Sequence, residues 1–221
     1  MDKKNLVDWN KVETVLLDMD GTLLDDHYER IFWQKLIPES YAKNHDITPE
    51  DAKREIASIY GKHKGTHKWG DINFWEQELG IKLWDLRFQI KHLLKLHPHT
   101  MSFLKFLKRA DKGIFLVTAA PLNDVNYKFE HTKLTNYFDG IYNQIDMGVS
   151  KYNKEFWKIL EDSINFKKDK SLLAEDNIDV LKTAKTYGIK WLVLKGKYNS
   201  RKPANSSDDF ITVNHFDDII P

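Results

Sequence analysis

The sequence predicts an α/β fold, a parallel sheet core with an inserted block of helices. Two observations predict the sheet. Short apolar runs at 15–17, 114–117 and 171–174 each end in acidic or hydroxyl residues, and each is too short to stand as an independent helix. Segments of helical spacing separate the later runs, the alternation expected of a parallel sheet covered on both faces. A third observation predicts the insertion. Residues 27–96, directly after the first run, are rich in aromatic, Lys and His residues and poor in β-branched runs. The division this implies is a core of residues 1–26 and 97–221 and a helical unit of residues 27–96.

Taken in order, Val15-Leu16-Leu17 reads as a buried strand running into Asp18 and Asp20, with Gly21 as the turn at its carboxyl end. Ligands collect at that end of a strand in an open parallel sheet. Ile31-Phe32-Trp33, Leu36-Ile37 and Tyr41 keep helical spacing, and Pro38 is expected to bend or interrupt that helix. Thr48-Pro49-Glu50-Asp51 is a helix start, with Thr48 as N-cap and acids in the first turn. A helix through Phe74-Trp75-Glu76 stops near Gly80, and 83–96 forms a fourth. Thr100 is expected to cap a helix carrying Phe103, Leu104, Leu107 and Ala110, closed by Gly113. A strand over 114–117 then runs into Thr118, followed by helices over 122–133 and 153–163. A strand over 171–174 ends at Glu175-Asp176, and a helix over 180–187 is closed by Gly188. Strands over 191–194 and 210–213 flank a polar loop.

Composition narrows the function classes. A chain of 221 residues, 41% hydrophobic and 30% charged, accommodates one soluble globular domain with room for an insertion. Lys and Arg number 34 against 33 Asp and Glu, so bulk charge makes no case for nucleic acid or an anionic membrane as partner. The absence of cysteine excludes disulfides, thiol catalysis and thiolate metal sites. Met1–Asn5 lacks the apolar core of a signal peptide, and no apolar run reaches membrane-spanning length. A cytoplasmic, soluble monomer is the expectation.

If the strands are parallel, Asp18, Asp20, Thr118, Glu175 and Asp176 share one edge of the sheet, joined by Lys151 from the segment before the 153–163 helix. In this order Asp18-Met19-Asp20-Gly21-Thr22, Thr118, Lys151 and Glu175-Asp176 resemble the four motifs of the haloacid dehalogenase (HAD) superfamily of phosphohydrolases. The match spans the chain, and the inserted helices resemble that superfamily's C1-type cap. Residues 9–20, 32–36, 74–80 and 130–132 are similar to its bacterial GMP/IMP 5′-nucleotidase branch. The resemblance implies a Rossmann-like core and an aspartyl-phosphate mechanism, with Asp18 as nucleophile. Asp20 would be the acid that protonates the leaving alkoxide and then the base that activates water. Thr118 and Lys151 would hold the phosphoryl oxygens. Asp18, Asp176 and the Asp20 backbone carbonyl would hold Mg²⁺, with Glu175 direct or through water. The substrate implied is a small-molecule phosphate monoester, a purine nucleotide such as GMP or IMP.

The residue chemistry agrees with that scheme. Phosphate monoesters are among the least reactive esters in water, and a carboxylate nucleophile divides the barrier into two steps. Proton transfer at the leaving oxygen contributes about 10²–10⁴ in rate. Clustered carboxylates repel a phosphate unless a hard cation with oxygen ligands joins them. Two positions depart from the nucleotidase branch: Ala119 stands where it has asparagine, and Glu175 where it has the first of two aspartates.

A sugar-phosphate or phosphoglycolate phosphatase of the same fold is the runner-up, favoured by the change after Thr118, and a non-catalytic binding module with this fold is the rival from a different class. A dehalogenase would need neither the acid at Asp20 nor a metal, and a phosphomutase would retain the phosphoryl group. A calcium loop from Asp18 to Glu29 fails because Leu23 stands where glycine is required and a strand precedes it. His97-Pro98-His99 and 196–202 read as loops, and Asp179 as a first-turn helix acid. Trp33, Tyr41, Tyr60, Trp69, Phe74 and Trp75 are first of all helix-packing residues. Any ring that stacks on a base would come from among them or a cap loop, with Arg30, Lys62, Lys64 and Lys68 as the basic candidates.

Overall fold

Six strands form one wholly parallel sheet in the order β3-β2-β1-β4-β5-β6 in a computed structural model that describes residues 6–221. Met1–Asn5, where a signal peptide is not expected, lies outside the described residues. The strands are β1 (Thr14–Leu17), β2 (Gly113–Thr118), β3 (Gly140–Asn143), β4 (Ser171–Glu175), β5 (Trp191–Lys195) and β6 (Ile211–Val213). The chain builds outward from β1 through β2 to β3, then crosses back to β4 on the other side of β1. That reversal is a topological switch point, where the connections leave a crevice at the carboxyl ends. Leu17 pairs with Leu116 on one side and Ala174 on the other, which sets Asp18 level with Val117 and Glu175.

Strand side chains alternate between two apolar layers, as the pleat requires. Leu16, Val117 and Leu173 pack with Trp157 and Leu160 of α8 (Lys154–Ile164) and Leu181 of α9 (Ile178–Tyr187). Val15, Leu17, Leu116 and Ala174 face the other layer, which holds α6 (Thr100–Arg109) and α7 (Leu122–Thr132). The inserted helices share that second layer, so their apolar faces are continuous with the core under the sheet.

Between β1 and β2 lie α1 (His27–Ile31), α2 (Ile37–His45), α3 (Pro49–His63), α4 (Ile72–Leu79) and α5 (Leu83–Gln89). Pro38 neither breaks nor ends its helix. A π-helical turn over Phe32–Leu36 links α1 to α2, with the Ile37 amide bonded to the Phe32 carbonyl. The wider turn places the proline, which has no N–H, in the first turn of α2. Thr48 caps α3 by accepting from the Asp51 amide at 3.2 Å, and Gly80 (φ 63°) closes α4. The expected helix over 83–96 is shorter: α5 stops at Gln89, a 3₁₀ turn follows, and Leu96 forms an antiparallel bridge with Leu24. Asp25 N donates to Lys95 O and His97 N to Leu23 O, both at 2.9 Å. The two connections to the inserted helices are therefore hydrogen-bonded to each other.

Two local expectations need correction. Thr100 does not cap α6; His99 (φ 66°) occupies the cap position, and the Thr100 hydroxyl donates instead to Leu23 O at 3.2 Å. Gly113 does not close α6 but opens β2, and Asp111 (φ 52°) makes the left-handed turn between them. The edge strand β3, three partly exposed residues and the buried Asn143 with no apolar run, is absent from the sequence reading. His97 is buried with its ring Nε2 3.0 Å from Tyr198 O, a loop contact as expected. Among the described residues no helix is long and apolar enough to cross a membrane.

Candidate active site

All six residues singled out from the sequence line one cavity of about 270 Å³ at the switch point. Asp18 follows β1, and its amide is held by Ala174 O at 3.1 Å. The Lys151 ammonium reaches Asp18 Oδ1 at 2.7 Å, Glu175 Oε2 at 2.8 Å and Val117 O at 3.4 Å. Trp157, buried in α8, fixes the Lys151 backbone by donating from Nε1 to its carbonyl at 3.1 Å. The second Glu175 oxygen accepts from the Asn177 amide at 3.1 Å. Thr118 is buried at the end of β2, and its hydroxyl accepts from Ala120 N at 3.1 Å.

Gly21 is required here on two counts. Its φ is +88°, and a Cβ there would stand 2.5 Å from Asp176 Oδ2. Asp18, Glu175 and Asp176 each offer an oxygen within 4.8 Å of the others. Burial, and then the Asp18 carboxylate, raise the Glu175 carboxyl above its usual range. Burial together with Glu175 and Asp18 puts Asp176 well above it. Burial opposes the Lys151 ammonium, yet Asp18 and Glu175 hold its pKa above the ordinary lysine value. Three hard oxygen donors close together, with one ammonium on two of them, fit a divalent cation such as Mg²⁺ and do not fit a soft metal.

Asp20 points into a second cluster. Both of its oxygens accept from Lys128 Nζ, at 2.8 and 2.7 Å. Lys128, wholly buried in α7, also reaches Glu29 at 2.8 Å and Asp124 at 2.9 Å. Arg87 completes the cluster, 2.7 Å from Glu29 and 3.4 Å from Asp124. Burial, with Glu29 and Asp124 adding to it, pushes the Asp20 carboxyl up to about 7 against the pull of Lys128. Burial acts on Glu29 in the same direction, but Arg87 and Lys128 outweigh it and hold that carboxyl well below the usual range. Lys128, Arg87 and Asp124 were missed in the sequence, and Glu29 figured there only as a failed calcium position. The available signal lies on α7, whose buried positions Asp124, Val125, Lys128 and Phe129 follow helical spacing with charges at two of them.

A larger cavity, about 410 Å³, adjoins the first along Asp20, Trp69 and Ala119. Of the candidate rings, Trp33, Tyr60, Trp69 and Trp75 line it. Tyr41 instead stacks on His45, Phe74 packs edge-on against Trp75, and none of the four basic candidates reaches the lining. The 3₁₀ turn His67–Gly70 lies over the loop after β2. Gln144 donates to His67 O at 3.1 Å, and a Cβ on Gly70 would stand 2.2 Å from Ala119 O.

Comparison with known proteins agrees with this geometry. The family model for haloacid dehalogenase-like hydrolases matches residues 12–188. A GMP/IMP nucleotidase of Escherichia coli (strain K12) is 31% identical over 183 residues, 83% of this chain and 82% of that protein. A phosphorylated carbohydrates phosphatase of Thermotoga maritima is 24% identical over 188 residues, covering 80% of this chain and 82% of that protein. Among solved structures, a HAD phosphatase from Thermococcus onnurineus superposes with a TM-score of 0.75 at 20% identity, over 92% of this chain and 94% of that one. The chain belongs to the haloacid dehalogenase-like hydrolases and is a phosphohydrolase of that family.

Proposed function

We propose that this phosphohydrolase is a Mg²⁺-dependent 5′-nucleotidase acting on purine nucleotides, GMP or IMP, through an aspartyl-phosphate. The observation that carries the reaction is the meeting of Asp18, Asp20, Thr118, Lys151, Glu175 and Asp176 around one cavity. The substrate rests on the 31% identity to the E. coli GMP/IMP nucleotidase. In this reading a carboxylate oxygen of Asp18 attacks phosphorus, and the bond to the nucleoside 5′ oxygen breaks. Asp20, its carboxyl raised to about 7, gives its proton to the departing alkoxide. Asp20 then takes a proton from the water that attacks the aspartyl-phosphate, which releases inorganic phosphate and regenerates Asp18.

Lys151 and the Thr118 hydroxyl hold the phosphoryl oxygens as charge redistributes. Mg²⁺, held by the Asp18 and Asp176 carboxylates and the Asp20 carbonyl with Glu175 direct or through water, would offset the repulsion between carboxylates and phosphate. Residues 27–96 act as a cap over the core, excluding water and selecting the leaving group.

Phosphate release across GMP, IMP, AMP, sugar phosphates and phosphoglycolate with Mg²⁺ tests the reading. The highest kcat/KM is expected for GMP and IMP, and Asp18→Asn abolishes turnover. A sugar phosphate as best substrate moves the assignment to the reading that Ala119 and the Thermotoga relative favour. No turnover of any phosphomonoester overturns both.

A further inference from the structure

Lys128 lines neither cavity, and its side chain is wholly buried. It therefore meets no substrate, and whatever it does for the reaction it does through its neighbours. Its ammonium faces three acids: both oxygens of Asp20 at 2.8 and 2.7 Å, Glu29 at 2.8 Å and Asp124 at 2.9 Å. An ammonium has three N–H donors, so these acids engage all of it and leave it no second position.

The three acids do not depend on Lys128 equally. Arg87 bonds Glu29 at 2.7 Å and lies 3.4 Å from Asp124, so both of those carboxylates keep a cation without Lys128. Asp20 has no other. Among the described residues Lys128 is the only hydrogen-bond or ion-pair partner of its carboxyl. The turn around Asp20 is fixed through its backbone: the Leu23 and Leu24 amides donate to Met19 O, both at 2.9 Å, and Gly21 N to Leu24 O at 2.8 Å. Those bonds hold the main chain and leave the carboxyl its side-chain torsions. Lys128 removes that freedom, and a desolvated ammonium does so far more firmly than a surface ion pair, which exchanges with water.

We propose that Lys128 is a positioning residue, which holds the Asp20 carboxyl at the angle for proton exchange with the departing alkoxide. The proposal rests on the role of Asp20 in the phosphohydrolase reading and goes beyond it by bringing a buried group of α7 into the reaction. Ionised, Asp20 accepts with both oxygens, as in this structure. Protonated, it keeps one oxygen on Lys128 and offers the O–H of the other to the alkoxide. The ammonium is thus the pivot for both halves of the reaction. Misplacement of a reacting group by about 1 Å costs on the order of 10² in rate.

The test compares IMP, whose leaving alkoxide needs a proton, with p-nitrophenyl phosphate, whose phenolate departs without one. Lys128→Met should lower kcat/KM about 10²-fold for IMP and less than about threefold for p-nitrophenyl phosphate. Damage to the fold alone would lower both equally. Lys128→Arg keeps a charge on the three acids but not the ammonium geometry, and should lose about tenfold on IMP alone. It decides the matter if Lys128→Met does not fold. In an Asp20→Asn background, Lys128→Met should cost IMP less than about threefold more, since one residue acts through the other. Equal losses on the two substrates, unchanged IMP hydrolysis, or the full loss recurring in the Asp20→Asn background overturn the proposal. Asp20→Asn by itself reports on the underlying reading. If it does not separate the two substrates, Asp20 is not the acid, and the proposal falls with that role. If a sugar phosphate is hydrolysed and IMP is not, only the nucleotide assignment fails, and the sugar phosphate, also an alkoxide ester, takes the place of IMP.

Discussion

Two trios of carboxylates lie side by side in this molecule and differ in their counterions. Asp18, Glu175 and Asp176 have one ammonium among them, Lys151 on the first two, which leaves a formal charge of −2 when all are counted as ionised. Asp20, Glu29 and Asp124 share Lys128 and Arg87, which leaves −1. In both trios the oxygens approach within 4.8 Å, so proximity of acids does not separate them. What separates them is who holds the oxygens. Lys128 bonds all three acids of its trio, whereas Lys151 bonds two of its own and leaves Asp176 against Gly21. A close acidic trio short of fixed positive charge suits a cation, as proposed for the first. With that charge supplied by side chains it becomes a rigid wall instead, and here the wall carries Asp20.

The strongest test of the distinction replaces one acid from each trio. Asp176→Asn should lower phosphate release by about 10³-fold or more and weaken Mg²⁺ binding in calorimetry, while Asp124→Asn keeps Mg²⁺ affinity within about threefold. Equal loss of Mg²⁺ affinity in both would erase the difference. Next, Lys128→Met leaves buried Asp124 and half-buried Asp20 and Glu29 with Arg87 alone and should destabilise the fold by about 3 kcal/mol in urea. Mg²⁺ should not restore it, whereas Lys151→Met should recover stability as Mg²⁺ is added. Rescue of Lys128→Met by Mg²⁺ would count against the account.

A smaller effect concerns pH. The Asp20 carboxyl sits near 7 in the folded chain against an ordinary 3.8, so between those values the folded state holds a proton that the unfolded state has released. That contribution is fully present below about pH 3.8 and is lost as pH rises through 7. From pH 5 to pH 8 the wild type should therefore lose on the order of 2–4 kcal/mol relative to Asp20→Asn, read from urea midpoints. Parallel curves for the two proteins would show that the wall does not strain Asp20. The smallest effect is Gly70→Ala, whose Cβ would press on Ala119 O above both trios. It should cut kcat/KM about tenfold with little change in Tm. Unchanged kinetics would show that the 67–70 turn does not need to sit so close.

The first trio was legible in the sequence because parallel strands end in register: an apolar run announces the strand, and the residue after it must lie at the sheet edge. Asp18, Thr118 and Glu175-Asp176 all carry that signature. Of the second trio only Asp20 was legible, because Glu29, Arg87, Asp124 and Lys128 come from helices whose approach depends on how α1, α5 and α7 pack. Their local sequence reads as ordinary helix charge. Pro38 was half legible: the missing N–H is evident from sequence, but whether a helix breaks or widens around it depends on what the flanking turns bury. Thr100 shows a tertiary partner overriding a local preference, since the Leu23 carbonyl takes the hydroxyl that would otherwise cap. β3 escaped because four residues, three of them half-exposed, beside a well-formed neighbour carry no pattern of their own.

The paired connections at Leu24 and Leu96 carry a mechanical consequence. The helices leave and rejoin the sheet through one hydrogen-bonded strap, beside the apolar core they share with it. The strap is not isolated from the chemistry, because Gly21 N donates to Leu24 O at 2.8 Å and residue 20 bridges to residue 24. The strap and the turn that presents Asp20 are thus one hydrogen-bonded unit, and any displacement of the first is felt at the second.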